Sequence, residues 1–427
     1  MTADMPCATT HGFDFDTPVD RTGTGSLKWE EAGDALPMWV ADMDFPTAPA
    51  VRDALRRRLD HGVFGYAVVP DEWAQAYVSW WGERHGLAID PQSLVFTTGV
   101  VPAISSMVRK LTTPAENVVI MTPVYNIFFN SILNNGRRVL ESPLVRDADG
   151  RYAIDWVDLE AKLADPQTSL MILCNPHNPT GSLWDRDTLA RIGDLAADHH
   201  VTVVSDEIHC DLTDPGYEYV PFASVNERCA MNSVTCMAPT KAFNIAGLQT
   251  AAVMIPDPTL RHKVWRGLNT DEVAEPNAFA MAATIAAFTE GGEWLDALRS
   301  YLAGNKREAA RLVDEYNASA PADRQVTLTC GPATYLLWLD CSAFTGRDTA
   351  GHDAGHDAHG TAPAFADTDA LCDWLQAEHK VCFSPGAQFG GDGRDFIRIN
   401  VACPRERMRE GFARLFAALS SLAARRD

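Results

Sequence analysis

The chain's 427 residues carry 36 Lys and Arg against 57 Asp and Glu. The resulting formal charge of -21 argues against nucleic acid or an anionic membrane as the main partner, since both need a basic surface. The length exceeds one ordinary core and suits a large plus a smaller domain, for which a hydrophobic content of 46% supplies the material. No run of about 18 apolar residues marks a spanning helix. The segment MTADMPCATTHGFDFD lacks a basic and then apolar leader, so no secretory signal is expected. The ten cysteines form no C-x-x-C pair. Cys174, Cys210, Cys236 and Cys382 lie in or beside apolar runs and read as small buried hydrophobes, which suits a reducing cytoplasm.

In chain order, Ala50 to Leu59, Trp73 to Gly86 and Pro102 to Leu111 have helical periodicity. Short β-rich runs follow at Asn117 to Met121, Ser169 to Cys174, Val201 to Ser205, Ser233 to Met237 and Thr250 to Ile255. The amphipathic stretch Asp187 to His199 closes a β-α-β unit between the second and third of these. The alternation predicts an α/β domain with a mostly parallel sheet over residues 49–292. Leu295, Leu298, Leu302, Ala309, Leu312 and Val313 then predict a long helix over Glu293 to Tyr316. Strands at Tyr335 to Leu339 and Phe396 to Val401, with helices at Asp369 to His379 and Arg405 to Leu422, predict a smaller α+β domain over residues 293–427. Residues 1–48 are expected to pack on it. Thr345 to Thr368 is rich in Gly, Ala, Asp and His and reads as a solvated insertion. His352 and His356 have the spacing of a metal pair, but a Gly-rich context does not hold a helix, so no metal site is expected.

Four motifs carry chemistry. In Thr97-Thr98-Gly99-Val100-Val101 a strand-like run turns at glycine into a helix, whose free N–H groups and positive dipole end suit a phosphate. Taken alone, a plain strand–turn–helix junction explains it equally. Asn175-Pro-His-Asn178-Pro-Thr-Gly181 forces a tight loop directly after a buried strand, where α/β sheets bind ligands. Asn178 could hydrogen-bond a phenolic oxygen there, or only cap its own backbone. Val203-Val-Ser-Asp206-Glu-Ile-His209 ends an apolar strand on a carboxylate, which is costly unless it meets a cation such as a protonated ring nitrogen; a helix cap or metal ligand is the alternative. In Met237-Ala-Pro-Thr240-Lys241-Ala-Phe-Asn-Ile-Ala-Gly247 a lysine follows an apolar strand and a turn. A desolvated amine there could form an imine, whereas a surface lysine is the plain reading of the segment by itself.

The order and spacing of these motifs resemble the fold-type I pyridoxal 5'-phosphate (PLP) enzymes of the aspartate aminotransferase superfamily, from about Leu36 to the C-terminus. The resemblance implies a PLP-dependent transferase fold, with a large α/β domain built on a mostly parallel seven-stranded sheet and a smaller α+β domain. It implies Lys241 as the Schiff-base lysine, Asp206 beside the pyridine nitrogen and Asn178 at the ring oxygen. Tyr125 then stacks on the ring, and Gly99, Val100, Val101 and Thr240 hold the phosphate. Tyr66 matches a residue that reaches the phosphate from a second subunit, which implies a homodimer with shared sites. Arg398, a charge inside the apolar run Phe396-Ile-Arg398-Ile-Asn400, matches the arginine that binds the substrate carboxylate, with an internal salt bridge as the alternative.

Three departures narrow the family. His209 stands where aspartate aminotransferase has a tyrosine near the ring oxygen, Gln249 where it has a phosphate-binding arginine, and Ala238 where it has a serine. Pro37-Met-Trp39-Val40-Ala41-Asp42-Met-Asp44-Phe45-Pro46, the run Asp206-Glu-Ile-His209 and Lys241-Ala-Phe-Asn-Ile-Ala-Gly247 look like the cystathionine β-lyases of the MalY/PatB group. Read physically, the Trp39–Ala41 turn brings backbone N–H groups to the substrate carboxylate opposite Arg398, or Trp39 and Phe45 merely anchor the N-terminal segment. The likeness implies elimination from an amino-acid thioether such as L-cystathionine, giving homocysteine, pyruvate and ammonia, as in methionine biosynthesis. The rivals are an aminotransferase using the same residues, and a regulatory protein that binds a transcription factor.

Overall fold

The computed structural model describes residues 12–147, 149–346 and 365–424. Its largest element is a seven-stranded sheet made of β1 (Leu94–Thr97), β2 (Asn117–Thr122), β3 (Arg138–Pro143), β4 (Thr168–Cys174), β5 (Thr202–Asp206), β6 (Ser233–Met237) and β7 (Ala251–Met254). The spatial order is β1-β7-β6-β5-β4-β2-β3. Only β7 runs against its neighbours, and the remaining pairs are parallel. All six residues of β2 are buried, as expected where helices cover both faces of a parallel sheet. Side-chain alternation sorts them. Val118 and Ile120 join Leu170, Val204 and Ile104 of helix α1 (Val100–Leu111) on one face. Val119 and Met121 join Met171, Val203 and Ile192 on the other.

Strand β3 escaped the sequence pattern because it is the edge strand, half-buried, with Arg138 and Glu141 in it. The helix Ala280–Glu290 escaped for the opposite reason. Seven of its eleven residues are buried, between the helices Pro49–His61 and Asp71–His85, so no polar face marks its period.

A second, antiparallel sheet contains β8 (Thr327–Thr329), β9 (Leu336–Asp340), β10 (Ser384–Pro385) and β11 (Phe396–Asn400), in the order β8-β9-β11-β10. The long helix α2 (Gly292–Ser319) and the helix α3 (Arg405–Ala424) share its core. The N-terminal stretch joins this part of the molecule directly. Leu36 and Pro37 pair in parallel with Val381 and Cys382, and the N–H of Asp44 bonds Ala402 O at 2.9 Å.

The insertion is shorter than its composition suggests. Thr345 is buried and bridges to Phe365, while Thr368 is buried and bonds Arg394 O at 2.9 Å. These ends are therefore packed rather than solvated, because Phe344 and Phe365 carry the chain into the core. His352 and His356 lie outside the described residues. None of the described helices is long and apolar enough to cross a membrane.

Candidate active site

Three parallel strands end at one edge of the large sheet, and each hands a polar side chain to one cavity of about 500 Å³. Strand β4 leads into the loop that carries Asn178, β5 ends on Asp206, and β6 leads into Thr240 and Lys241. Strand β1 delivers Gly99, Val100 and Val101 to the same edge, and Tyr125 and His209 complete the wall. Gly99 is the N-cap of α1, in an extended conformation that any residue adopts. A Cβ there would meet Pro102 Cδ at 3.2 Å, a tight contact that a glycine avoids. The first N–H groups of α1 have no partner within the helix and form its positive end.

Lys241 Nζ donates to Ala41 O at 2.6 Å. Burial, reinforced by the charge of Arg398, lowers its ammonium to about 8, against the pull of Asp42 and Asp206. Burial raises the Asp206 carboxyl to about 6, opposed by the N–H of Ile208 and by Lys241. The bond from Ile208 N is 3.2 Å long. His209 is held down to about 3 by burial and then by Lys241 and Arg398, so its imidazole is neutral, and its Nδ1 has no partner among the described residues. Glu207, beside them in sequence, belongs to the scaffold: Ser205, Tyr219 and Phe222 N all hydrogen-bond its buried carboxylate.

Arg398 lies on β11, buried, with its guanidinium carbon 4.7 Å over the Phe389 ring. Nη1 donates to Asn178 Oδ1 at 3.1 Å and Nη2 to Trp39 O at 3.1 Å. Among the described residues no carboxylate pairs with it, so the internal salt bridge is absent. Asn178 thus spends its oxygen on Arg398 and keeps its amide N–H groups.

Trp39, Val40 and Ala41 approach the site differently from the sequence expectation. Their contacts with Arg398, Asn400 and Lys241 run through carbonyl oxygens rather than N–H groups. The cause is electrostatic: the side chains they meet are cations or donors, which attract the negative end of a peptide. The segment is held by a buried ion cluster, in which Asp44 accepts from Lys28 at 3.0 Å, Arg21 at 2.9 Å and Trp29 Nε1 at 3.0 Å. Trp39 Nε1 donates to Lys28 O, which anchors the same turn. Asn244, three residues after Lys241, bonds the backbone of Met43 and Phe45 and ties the lysine loop to this segment.

Tyr66 stands apart from the cavity, fully exposed beside exposed Phe64 and Val68. Tyr335 and Ser384 were not foreseen. The Tyr335 hydroxyl donates to Ala41 O at 2.9 Å, and Ser384 Oγ lies 3.4 Å from Arg398. Nothing local marks either residue: the Tyr335 contact spans 294 positions, and the Ser384 contact forms only once β10 pairs with β11.

A sheet edge that gathers a desolvated lysine, a buried lone carboxylate and a helix start around one cavity is the arrangement of the PLP-dependent transferase fold. Residues 35–415 match the aminotransferase class I and II family, and the chain belongs to that family. It is similar to cystathionine beta-lyase PatB of Bacillus subtilis (strain 168), with 42% identity over 96% of this chain and 100% of that protein. Protein MalY of Escherichia coli (strain K12) is 35% identical over 96% of this chain and 100% of its own length. The solved structure of cystalysin from Treponema denticola, which contains a pyridoxal 5'-phosphate cofactor, superposes with a TM-score of 0.86 at 31% identity, covering 96% of this chain and 99% of that one.

Proposed function

We propose that this chain is a PLP-dependent carbon–sulfur β-lyase that splits L-cystathionine or a related cysteine S-conjugate into a thiol, pyruvate and ammonia. The observation that carries the reading is a desolvated lysine, Lys241, and a buried acid, Asp206, lining one cavity of a chain 42% identical to a cystathionine beta-lyase.

The cavity fits the cofactor. Asp206 is a buried acid whose described hydrogen bond is one backbone N–H, so a protonated pyridine nitrogen would be its counter-charge. Lys241 would hold the aldehyde carbon, Asn178 and His209 would lie at the ring oxygen, and Tyr125 would cover the ring. Gly99, Val100, Val101 and Thr240 would take the phosphate. When bound, PLP supplies an electron sink for the pair left on Cα.

The chain's own residues do the rest. Arg398 would bind the substrate carboxylate, with the Trp39–Ala41 turn fixing the guanidinium through its carbonyls. The free amine of Lys241 would take the Cα proton, as a base whose affinity lies close to neutral pH. The β C–S bond then breaks with its electron pair on sulfur, which leaves as a thiol after gaining a proton. The three-carbon remainder hydrolyses to pyruvate and ammonia. Release of homocysteine would place the step in methionine biosynthesis, in the cytoplasm.

The exposed strip from Val63 to Val69 around Tyr66 supports a homodimer in which each Tyr66 completes its neighbour's phosphate site. We read residues 49–292 as the cofactor domain, with residues 293–427 and the N-terminal 1–48 as a smaller domain that carries Arg398. The test is pyruvate and free thiol from cystathionine with no keto acid present. Turnover that requires a keto acid would instead make the enzyme an aminotransferase.

A further inference from the structure

Behind the cofactor cavity the chain builds a second one of about 640 Å³, to which the proposed chemistry assigns no task. The run Asp206 to Asp211 separates the two. Asp206 and His209 line the first, and Cys210 and Asp211 line the second. Opposite them stands His85, the last residue of the helix Asp71–His85, whose C-terminal end carries the negative pole of the helix dipole. One ligand atom each from His85, Cys210 and Asp211 lies within 4.8 Å of the other two.

Asp211 is buried, yet no lysine or arginine pairs with it among the described residues. Its carboxylate accepts from Trp80 Nε1 at 3.0 Å and 3.1 Å and meets His85 Nε2 at 2.9 Å. The arginines at the cavity wall are engaged elsewhere: Arg84 pairs with Asp296, and Arg299 with Thr213 and Asp296. The negative charge of Asp211 is therefore left facing an imidazole and a thiol.

The geometry points to a binding site for a zinc-class divalent ion, held by His85 Nε2, Cys210 Sγ and an Asp211 oxygen. One nitrogen, one sulfur and one carboxylate oxygen form a mixed donor set of the kind such ions take, and tetrahedral coordination separates ligand atoms by roughly 3.3–3.8 Å. The cluster therefore needs a movement of well under an ångström per side chain. The cavity leaves room for a water in the fourth position. On binding, the Cys210 thiol gives its proton to solvent and the His85–Asp211 hydrogen bond is replaced by two metal bonds. Trp80 stays on Asp211 and orients it. Because Cys210 follows His209 directly, an occupied site would stiffen the loop that also carries Asp206.

The test uses PLP-loaded enzyme dialysed against a chelator and titrated with Co²⁺ alone, followed by visible absorption. The site predicts saturation at one ion per chain, with the red ligand-field bands of a four-coordinate thiolate complex, bleached by Zn²⁺. Cys210→Ser and His85→Gln each remove the thiolate signature, and Cys330→Ser, which changes an exposed thiol, leaves it intact. Far-ultraviolet circular dichroism and cofactor absorbance confirm that each variant is folded. If Cys210→Ser does not fold, His85→Gln, at the end of its helix on the cavity wall, decides alone. No saturable thiolate band, or one that survives in the folded variants, overturns the site. Binding without a thiolate signature, as His352 and His356 would give, overturns it as well.

Discussion

Arg398 sits on the middle of β11 with no described carboxylate beside it, held by Asn178, the Trp39 carbonyl and the Phe389 ring. A guanidinium kept in place without neutralisation is poised for a carboxylate from outside. Replacing it by lysine keeps the charge but loses the fork, and charge-assisted hydrogen bonds of about 1.5–3 kcal/mol each are at stake. Arg398→Lys is expected to raise KM roughly ten- to a hundredfold, with kcat falling less, in steady-state kinetics with cystathionine. An unchanged KM would remove Arg398 from the substrate. Lys241 gives a second expectation. Its amine titrates near 8 rather than the usual 10.5, so the free base, which is the form that attaches the cofactor, grows as pH rises. PLP loading of the cofactor-free protein should accelerate roughly tenfold per unit below about pH 8 and level off above it. A rate still climbing in the same way at pH 10 would mean that the amine is not desolvated. Both side chains were legible in the sequence, because each breaks an apolar strand or follows one. Tyr335 and Ser384 were not, because Tyr335 meets the Ala41 carbonyl across 294 positions and Ser384 meets Arg398 only once β10 and β11 pair.

At the scale of elements, the N-terminal stretch is part of the site's frame. The Asp44 carboxylate is fully buried against Lys28, also fully buried, with Arg21 and Trp29 as further donors. Removing one member of such a group strands the others, at a cost of about 3–5 kcal/mol. Asp44→Asn is expected to lower stability by that amount in urea unfolding and to loosen the Ala41 carbonyl from Lys241. A loss below about 1 kcal/mol would show that the cluster is solvated. The sequence announced this segment by its unusual run of turn residues and acids, yet suggested N–H groups where the structure presents carbonyls. Local sequence sets where a turn falls. The cations across from it decide which edge of the peptide faces inward. The same limit explains β3, whose edge position makes its pattern half polar, and the helix Ala280–Glu290, whose burial on several sides erases its period.

Over the whole molecule, the α/β alternation made the sheet and its mostly parallel sense readable in advance. The antiparallel strand β7 and the packed ends of the insertion depend on long-range pairing, which no local window reports. The proposed homodimer makes its own prediction. If Tyr66 completes the neighbouring subunit's site, a mixed dimer of Lys241→Ala and Tyr66→Ala subunits contains one intact site and one doubly damaged one. Co-refolding equal amounts should then restore roughly a quarter of wild-type activity, by the symmetry of a twofold dimer. Activity equal to the mean of the two parents would place Tyr66 outside the shared site.

The central claim is elimination of sulfur at a site anchored on Lys241. The most direct measurement follows thiol and pyruvate together from L-cystathionine, without keto acid, for the wild-type enzyme and for Lys241→Ala loaded with PLP. The account predicts equal amounts of the two products from the wild type and a loss of at least about a hundredfold in rate for the variant. Thiol without pyruvate, or a variant as fast as the wild type, would contradict it.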